Sequence, residues 1–319
     1  MARTLGEVVR RGADNVLANW PLLLIRIAES VAMIVITLAI LAGAVVPIAA
    51  AVMGGSLTDI VTGAVDPEQV LRSVSPLLAV YLLLVVSLVV FVAVLVHSFV
   101  QGGIVGSYLE AERSAPAAAA TRADFRVFTP ELWWSEAKRN VWRFFWIYNV
   151  VWGVWSLAIL LPLLPLIVLV VLFSESPAAI VVAIGGLIAI LLFAIGLAIV
   201  VFLWSQVVLI DAARLGTGVF ESISGSWDSM RGRLGTIILV GGIAFALSMV
   251  VGSIVAGFSF VFEAAGMVPG LGLALVPIQI LLSLINSAVS TLFGSWMLAA
   301  LAAALARPRT EVRHAVAPA

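Results

Sequence analysis

Six long apolar runs fill most of the chain, at positions 22–52, 77–107, 145–173, 178–210, 236–262 and 271–305. About 20 consecutive apolar residues are enough to cross a bilayer as an α-helix, and each run meets that length. The runs are continuously apolar, whereas the strands of a membrane barrel alternate. The pattern predicts an all-α polytopic membrane protein with six transmembrane helices. Several runs exceed the minimum, so tilt, kinks or interfacial extensions are expected. Pro47, Pro162, Pro165 and Pro277 are the expected kink or end points. The first run follows a charged amphipathic lead and is too long for the core of a cleavable signal, so it is expected to stay in the protein.

The polar positions between the runs repeat a plan: an amphipathic lead, a span, a short outer loop, a second span. The leads are Gly12–Pro21, Ala137–Trp146 and Ser226–Gly235, and Asn15-Val16 in the first matches Asn140-Val141 in the second. The offsets are uneven, about 125 and 90 residues. The expected units are 5–113, 130–214 and 219–306 of one integral membrane domain, with 307–319 as a mobile tail. Two spans per unit keep consecutive units in one orientation, the parallel-repeat case. Any two-span hairpin with an interfacial lead would look similar, and that alternative stands beside true repetition. Mitochondrial carriers also use three two-span units, but their Pro-x-Asp/Glu-x-x-Lys/Arg signature is absent from the odd spans.

Charge gives the orientation. Of 17 Lys and Arg residues, 15 lie before span 1, between spans 2 and 3, between spans 4 and 5, or after span 6. The outer connections hold only Arg72, against Asp59, Asp66, Glu68, Glu175 and Glu263. By the positive-inside rule both termini are cytoplasmic. Trp20, Trp133, Trp134, Trp142, Trp146, Trp204, Trp227 and Trp296 fall at or near the same ends, where indole rings prefer the headgroup level. Leads rich in Arg and Trp at that level are expected to lie in the interface and touch anionic lipid. Arg10, Arg11, Lys138, Arg139, Arg143, Arg231 and Arg233 are the candidate headgroup contacts. The high ratio of Arg to Lys is an association with high-GC prokaryotic genomes, and the expected location is a prokaryotic cytoplasmic (inner) membrane.

The composition agrees: the 319 residues are 63% apolar and 11% charged, with a mean hydropathy of +1.21. There are no cysteines, which excludes disulfides, thiolate metal sites and thioether haem attachment. His97 and His314 are the only histidines, too few for a histidine-based zinc or iron site.

The stretch Asp211–Gly235 carries an acidic residue ending a span, a small turn, then an amphipathic helix with Glu221, Ser226-Trp227 and Arg231-Gly232-Arg233. It resembles the segment between spans 4 and 5 of a group of prokaryotic six-helix membrane proteins similar to the membrane domain attached to some glycerophosphodiester phosphodiesterases. The hairpin plan extends the resemblance loosely over the whole chain. It implies a fold and no reaction, because the phosphodiesterase activity belongs to a soluble barrel domain that this sequence does not contain.

Polar groups inside the spans are costly and therefore functional candidates. Arg26 and Glu29 share a face of span 1 with Met33 and Thr37. Arg26 can snorkel to the interface with Glu29 as its neutralising partner; Glu29 is deeper and shorter, with less chance of escape. His97 and Gln101 share a face of span 2; His97 can relay protons, or stay neutral and bond to a neighbouring helix. Asn149, Trp152 and Ser156 follow on span 3, Gln206 on span 4, and Gln279, Ser283, Asn286 and Ser290 at helical spacing on span 6. These residues can line a polar path or bond between packed helices. Small residues, with Gly102-x-x-x-Gly106 the clearest case, favour close helix approach. Arg26, Glu29, His97, Gln101, Asn149 and Gln206 lie in the cytoplasmic half or near the middle, which predicts a cytoplasm-facing polar vestibule beneath a dry outer half.

No Walker A loop, His-Glu-x-x-His or Gly-x-Ser-x-Gly elbow occurs, and Gly216-Thr217-Gly218 reads as a turn. The Asp59, Asp66 and Glu68 spacing does not match a calcium loop. Acids interleave with the bases between spans 2 and 3, which argues against nucleic acid as a partner. The expected partners are membrane lipids and other membrane subunits or further copies of the chain, with no catalytic residue, cofactor or metal. Two functions stand: a non-enzymatic membrane-embedded scaffold or accessory subunit with lipid contacts, or a small-solute or lipid transporter using the polar faces. A membrane enzyme would need a reactive cluster, and only Glu29 with His97 could form an acid–base pair.

Overall fold

A computed structural model describes residues 3–53, 76–115, 120–173, 176–266 and 272–306. Asp59, Asp66, Glu68, Arg72, Glu175, most of the Ala-rich stretch 115–120 and the tail 307–319 lie outside the described residues. The described residues form eight α-helices and one 3-10 turn, and none is in a strand. In order they are α1 (Leu5–Ala18), α2 (Pro21–Met53), α3 (Pro76–Ser114), the turn Arg122–Phe125, α4 (Pro130–Phe173), α5 (Pro177–Leu215), α6 (Val219–Arg231), α7 (Leu234–Gly266) and α8 (Gly272–Leu305).

Six of these helices, α2, α3, α4, α5, α7 and α8, are long and apolar enough to cross a membrane. Each coincides with one of the six apolar runs. Three expectations change in detail. The second lead is not a separate helix: α4 runs unbroken for 44 residues from Pro130, so lead and span are one rod of roughly 66 Å. The prolines end nothing, because the helices continue through Pro47, Pro162, Pro165 and Pro277. The helices pass through these prolines because a proline removes a single backbone bond, and a long apolar helix has many others. α3 and α5 also extend beyond their apolar runs, into the polar residues that close the ends of those spans.

Tryptophans mark a level along the rods. Trp146 lies 27 residues before the end of α4 at Phe173, Trp204 lies 27 after the start of α5 at Pro177, and Trp296 lies 24 after the start of α8 at Gly272. Those lengths are roughly 36–41 Å, enough for hydrocarbon of about 30 Å with a margin.

The contacts divide the chain into two compact units, Ile25–His97 and Met1–Leu24 with Ser98–Ala319. In the larger unit α4 packs along α5, α7 along α8, and α1 against α8. Its core lies at the arginine-bearing ends of the rods: Ile104 and Tyr108 from α3, Phe144 and Ile147 from α4, Leu209 and Ile210 from α5, and Leu298 and Leu301 from α8. Away from that end the same rods expose rows of aliphatics, such as Leu160, Leu161 and Leu164 on α4 and Leu187, Leu191 and Leu192 on α5. Such rows are stable only against lipid or another apolar surface.

Candidate functional site

The densest polar chemistry is at the arginine-bearing end of the larger unit, around α1. Thr4 caps this helix, its hydroxyl accepting from the Glu7 amide at 3.3 Å. Val8, Arg11, Gly12, Asn15 and Val16 then recur at helical spacing and form the buried face. Arg11 is wholly buried, and its Nε and Nη2 donate to Glu112 Oε2 on α3 at 3.1 and 2.8 Å. Arg3 Nη1 donates to the same oxygen at 2.9 Å. The Arg11 guanidinium also stacks 4.8 Å from the Phe125 ring centroid. Two cations on one buried carboxylate oxygen make a charge-assisted clamp that joins α1 to the end of α3.

Two asparagines extend the clamp. Asn15 donates to the Tyr108 carbonyl of α3 at 3.1 Å. Asn19 donates to the Phe125 carbonyl at 2.8 Å, and its side-chain oxygen accepts from the Val127 and Phe128 amides. Arg122 donates to the Leu17 carbonyl and Arg10 to that of Ala120, so the connection from α3 to α4 is bound to α1 from Ala120 to Phe128. Within the connection, Asp124 Oδ2 accepts from the Thr121 amide and hydroxyl at 2.8 and 2.9 Å. Those bonds, the backbone one first, hold the Asp124 carboxyl below its ordinary pKa of 3.8.

The three leads each meet a small-residue contact. A Cβ on Gly12 would come within 2.7 Å of Ala300 Cβ on α8 and 2.9 Å of its backbone. Gly102 of α3 faces Ala137 and Asn140 of α4 in the same way, its added Cβ falling 3.1 Å from Asn140 Cβ. On α6 the buried Ser226 accepts from Trp204 Nε1 of α5 at 3.0 Å. Gly12, Ala137 and Ser226 are the first residues of the three leads, and each is packed on the span that ends the preceding hairpin; for Gly12 that span is α8, the last.

Further bonds close the ends of the spans. Arg143 of α4 donates to the Ala212 and Gly216 carbonyls at 3.0 Å each. Gly216 has a φ of 70°, a left-handed conformation that lets α5 end there. Arg214 donates to Asp211 Oδ1 at 2.5 Å and to the Leu305 carbonyl at the end of α8.

The candidate headgroup residues divide accordingly. Lys138, Arg139 and Arg231 are exposed, and Lys138 lies 5.2 Å over the Trp134 ring. Trp134, Lys138, Trp142 and Trp146 share one exposed face of α4 at spacings of four. Arg10 is exposed and ion-pairs with Asp14, while Arg233 is half-buried. Arg11 is a correction: it is sealed on Glu112, because its helical phase turns it to the α3 side of α1. Arg143 is likewise committed to backbone carbonyls.

In the smaller unit, buried Glu29 meets His97, Oε1 to Nδ1 at 2.6 Å. The half-buried Arg26 lies one turn earlier on α2, and its carbonyl accepts from the Ser30 hydroxyl. In the larger unit Gln101 donates to Gln206 Oε1 at 3.3 Å, joining α3 to α5. Asn149 departs from the expected vestibule: it is exposed on α4, and its amide turns back to the Phe145 carbonyl at 2.7 Å. That bond satisfies the amide on its own helix, so exposure costs it little. Asn286 opens instead on a groove of about 400 Å³ between α7 and α8, shared with Gly252, Ala256, Ser259 and Ser283.

The Arg11–Glu112 clamp, Asn19 and the burial of Ser226 were not singled out from the sequence. The recurrence of Arg11, Asn15 and Asn19 at spacings of four was the available signal for a polar buried face.

These features define a class: an all-helical membrane protein with six helices able to span and, in its larger unit, a buried polar core at one end. No protein-family model matches the chain, and no curated protein or solved structure gives a significant match.

Proposed function

We propose that the chain is a non-catalytic scaffold or accessory subunit of a prokaryotic cytoplasmic membrane, with its arginine-bearing end and both termini on the cytoplasmic side. The observation that carries this reading is where the packing lies. Within the larger unit the rods are fixed to one another by buried polar bonds at one end, while their apolar lengths leave aliphatic rows exposed. A scaffold needs a rigid base and accessible spans, and that is the arrangement. The shared docking of Gly12, Ala137 and Ser226 supports a threefold internal repeat whose first lead closes on its last span. The exposed Trp134–Lys138–Trp142–Trp146 face supports contact with anionic headgroups. The resemblance to membrane domains attached to separate catalytic domains is in keeping with a non-catalytic role.

The test is native mass spectrometry of the protein extracted gently from its own membrane. Stoichiometric association with another membrane protein is the expected result. A lone chain carrying a defined small solute would overturn it.

A second reading, transport, is favoured by the Glu29–His97 contact, because a carboxylate and an imidazole within a span can exchange a proton. It requires that Glu29→Gln abolish solute flux in proteoliposomes while the protein still folds. The scaffold reading expects Glu29→Gln to leave association with the partner unchanged.

A further inference from the structure

The groove between α7 and α8 has a feature the polar core does not use. Asn286 is exposed and makes no hydrogen bond with any described residue. It lies ten residues outward of Trp296, roughly 15 Å along the rod and so at about half the hydrocarbon depth. Ser283 and Ser290 flank it on the same face, both exposed. Asn149, by contrast, satisfies its amide on its own helix. A carboxamide facing lipid at this depth lacks the partners it would have in water, and an interhelical bond is the usual way to supply them.

We propose that this face of α8 is a dimer interface with a second copy of the chain, paired through Asn286. Copies inserted in one membrane share one orientation, so a two-fold axis between them runs along the membrane normal. A residue close to that axis then meets its own counterpart at its own depth. Only a side chain that both donates and accepts can satisfy itself this way, and asparagine does both. Ser283 and Ser290 are small enough to let the helices approach, and Gly252, whose added Cβ would lie 3.9 Å from Asn286 Oδ1, leaves room on the α7 side. The inference goes beyond the scaffold reading and does not depend on it, since a transporter could pair through the same face.

The chain has no cysteine, so single substitutions report contacts without background. Ser283→Cys, Asn286→Cys and Ser290→Cys, each oxidised in native membranes, are expected to give a band of twice the chain mass. Leu281→Cys and Ala288→Cys, on the opposite side of α8, are not. In parallel, single-molecule photobleaching of the unaltered protein in liposomes should show two-step bleaching. Asn286→Leu should weaken that pairing about threefold to thirtyfold. One-step bleaching of the unaltered protein, or cross-linking without helical periodicity, would overturn the dimer. A cross-linked band of any other mass would assign the face to a different protein. None of these outcomes bears on association at other faces, so the dimer and the scaffold fail independently.

Discussion

Replacing Glu112 by Gln should be among the most damaging single-atom changes available in this chain. Oε2 of Glu112 accepts three bonds from two guanidiniums, at 2.8, 2.9 and 3.1 Å. Arg11 is wholly buried, so once the carboxylate is gone its charge cannot reach water. Arg3 keeps slight exposure and recovers part of its hydration. Breaking a buried pair by removing one partner costs about 3–5 kcal/mol, and the partial escape of Arg3 places the expected loss near ~3 kcal/mol. Glu110, two residues away, is the internal control. It pairs with Arg113 at 3.3 Å with both side chains about two-fifths exposed, and such surface pairs contribute roughly 0–1 kcal/mol. Reversible unfolding in mixed micelles, or steric trapping, measures both variants. The double change Arg11→Met with Glu112→Leu should regain most of the loss, because apolar residues of similar volume can replace a buried pair. Equal costs below ~1 kcal/mol for Glu112→Gln and Glu110→Gln would refute the clamp.

Other outcomes follow from single contacts. Gly12→Leu should destabilise by about 1–3 kcal/mol in the same unfolding assay, because its Cβ would meet the α8 backbone at Ala300, which cannot rotate away. Asn19→Ala should release the connection between α3 and α4, seen as faster amide exchange at Val127 and Phe128, whose amides it accepts. Asp124 has a folded pKa below its ordinary 3.8, so its stabilisation is complete above that value and lost as the pH falls through the lower folded one; an NMR titration showing Asp124 at or above 3.8 would contradict the turn geometry. Brominated lipid should quench Trp142 and Trp146, both more than half exposed, and Lys138→Glu should reduce retention of anionic lipid in native mass spectra.

The six spans were readable because lipid imposes a length and a composition on every crossing helix, and local sequence carries both. The polar lead before each hairpin was readable for the same reason. The fusion of lead and span into one 44-residue helix was not, since no helix-breaking residue marks or forbids the junction. Arg11 and Arg10 are adjacent, identical side chains, and composition cannot say which is sealed inside. That is decided by helical phase against α3, which places Glu112, 101 residues away, opposite Arg11. In the same way, the sequence offered Glu29 and His97 as a possible pair but only the packing of two helices brings them to 2.6 Å, and it is their neighbours that separate Asn149, bonded to its own helix, from Asn286, open on a groove. The sequence alone determined which segments can leave water. Tertiary structure decided which polar groups find partners, because hydrogen bonds and ion pairs act over a few ångströms between residues that sequence distance does not relate.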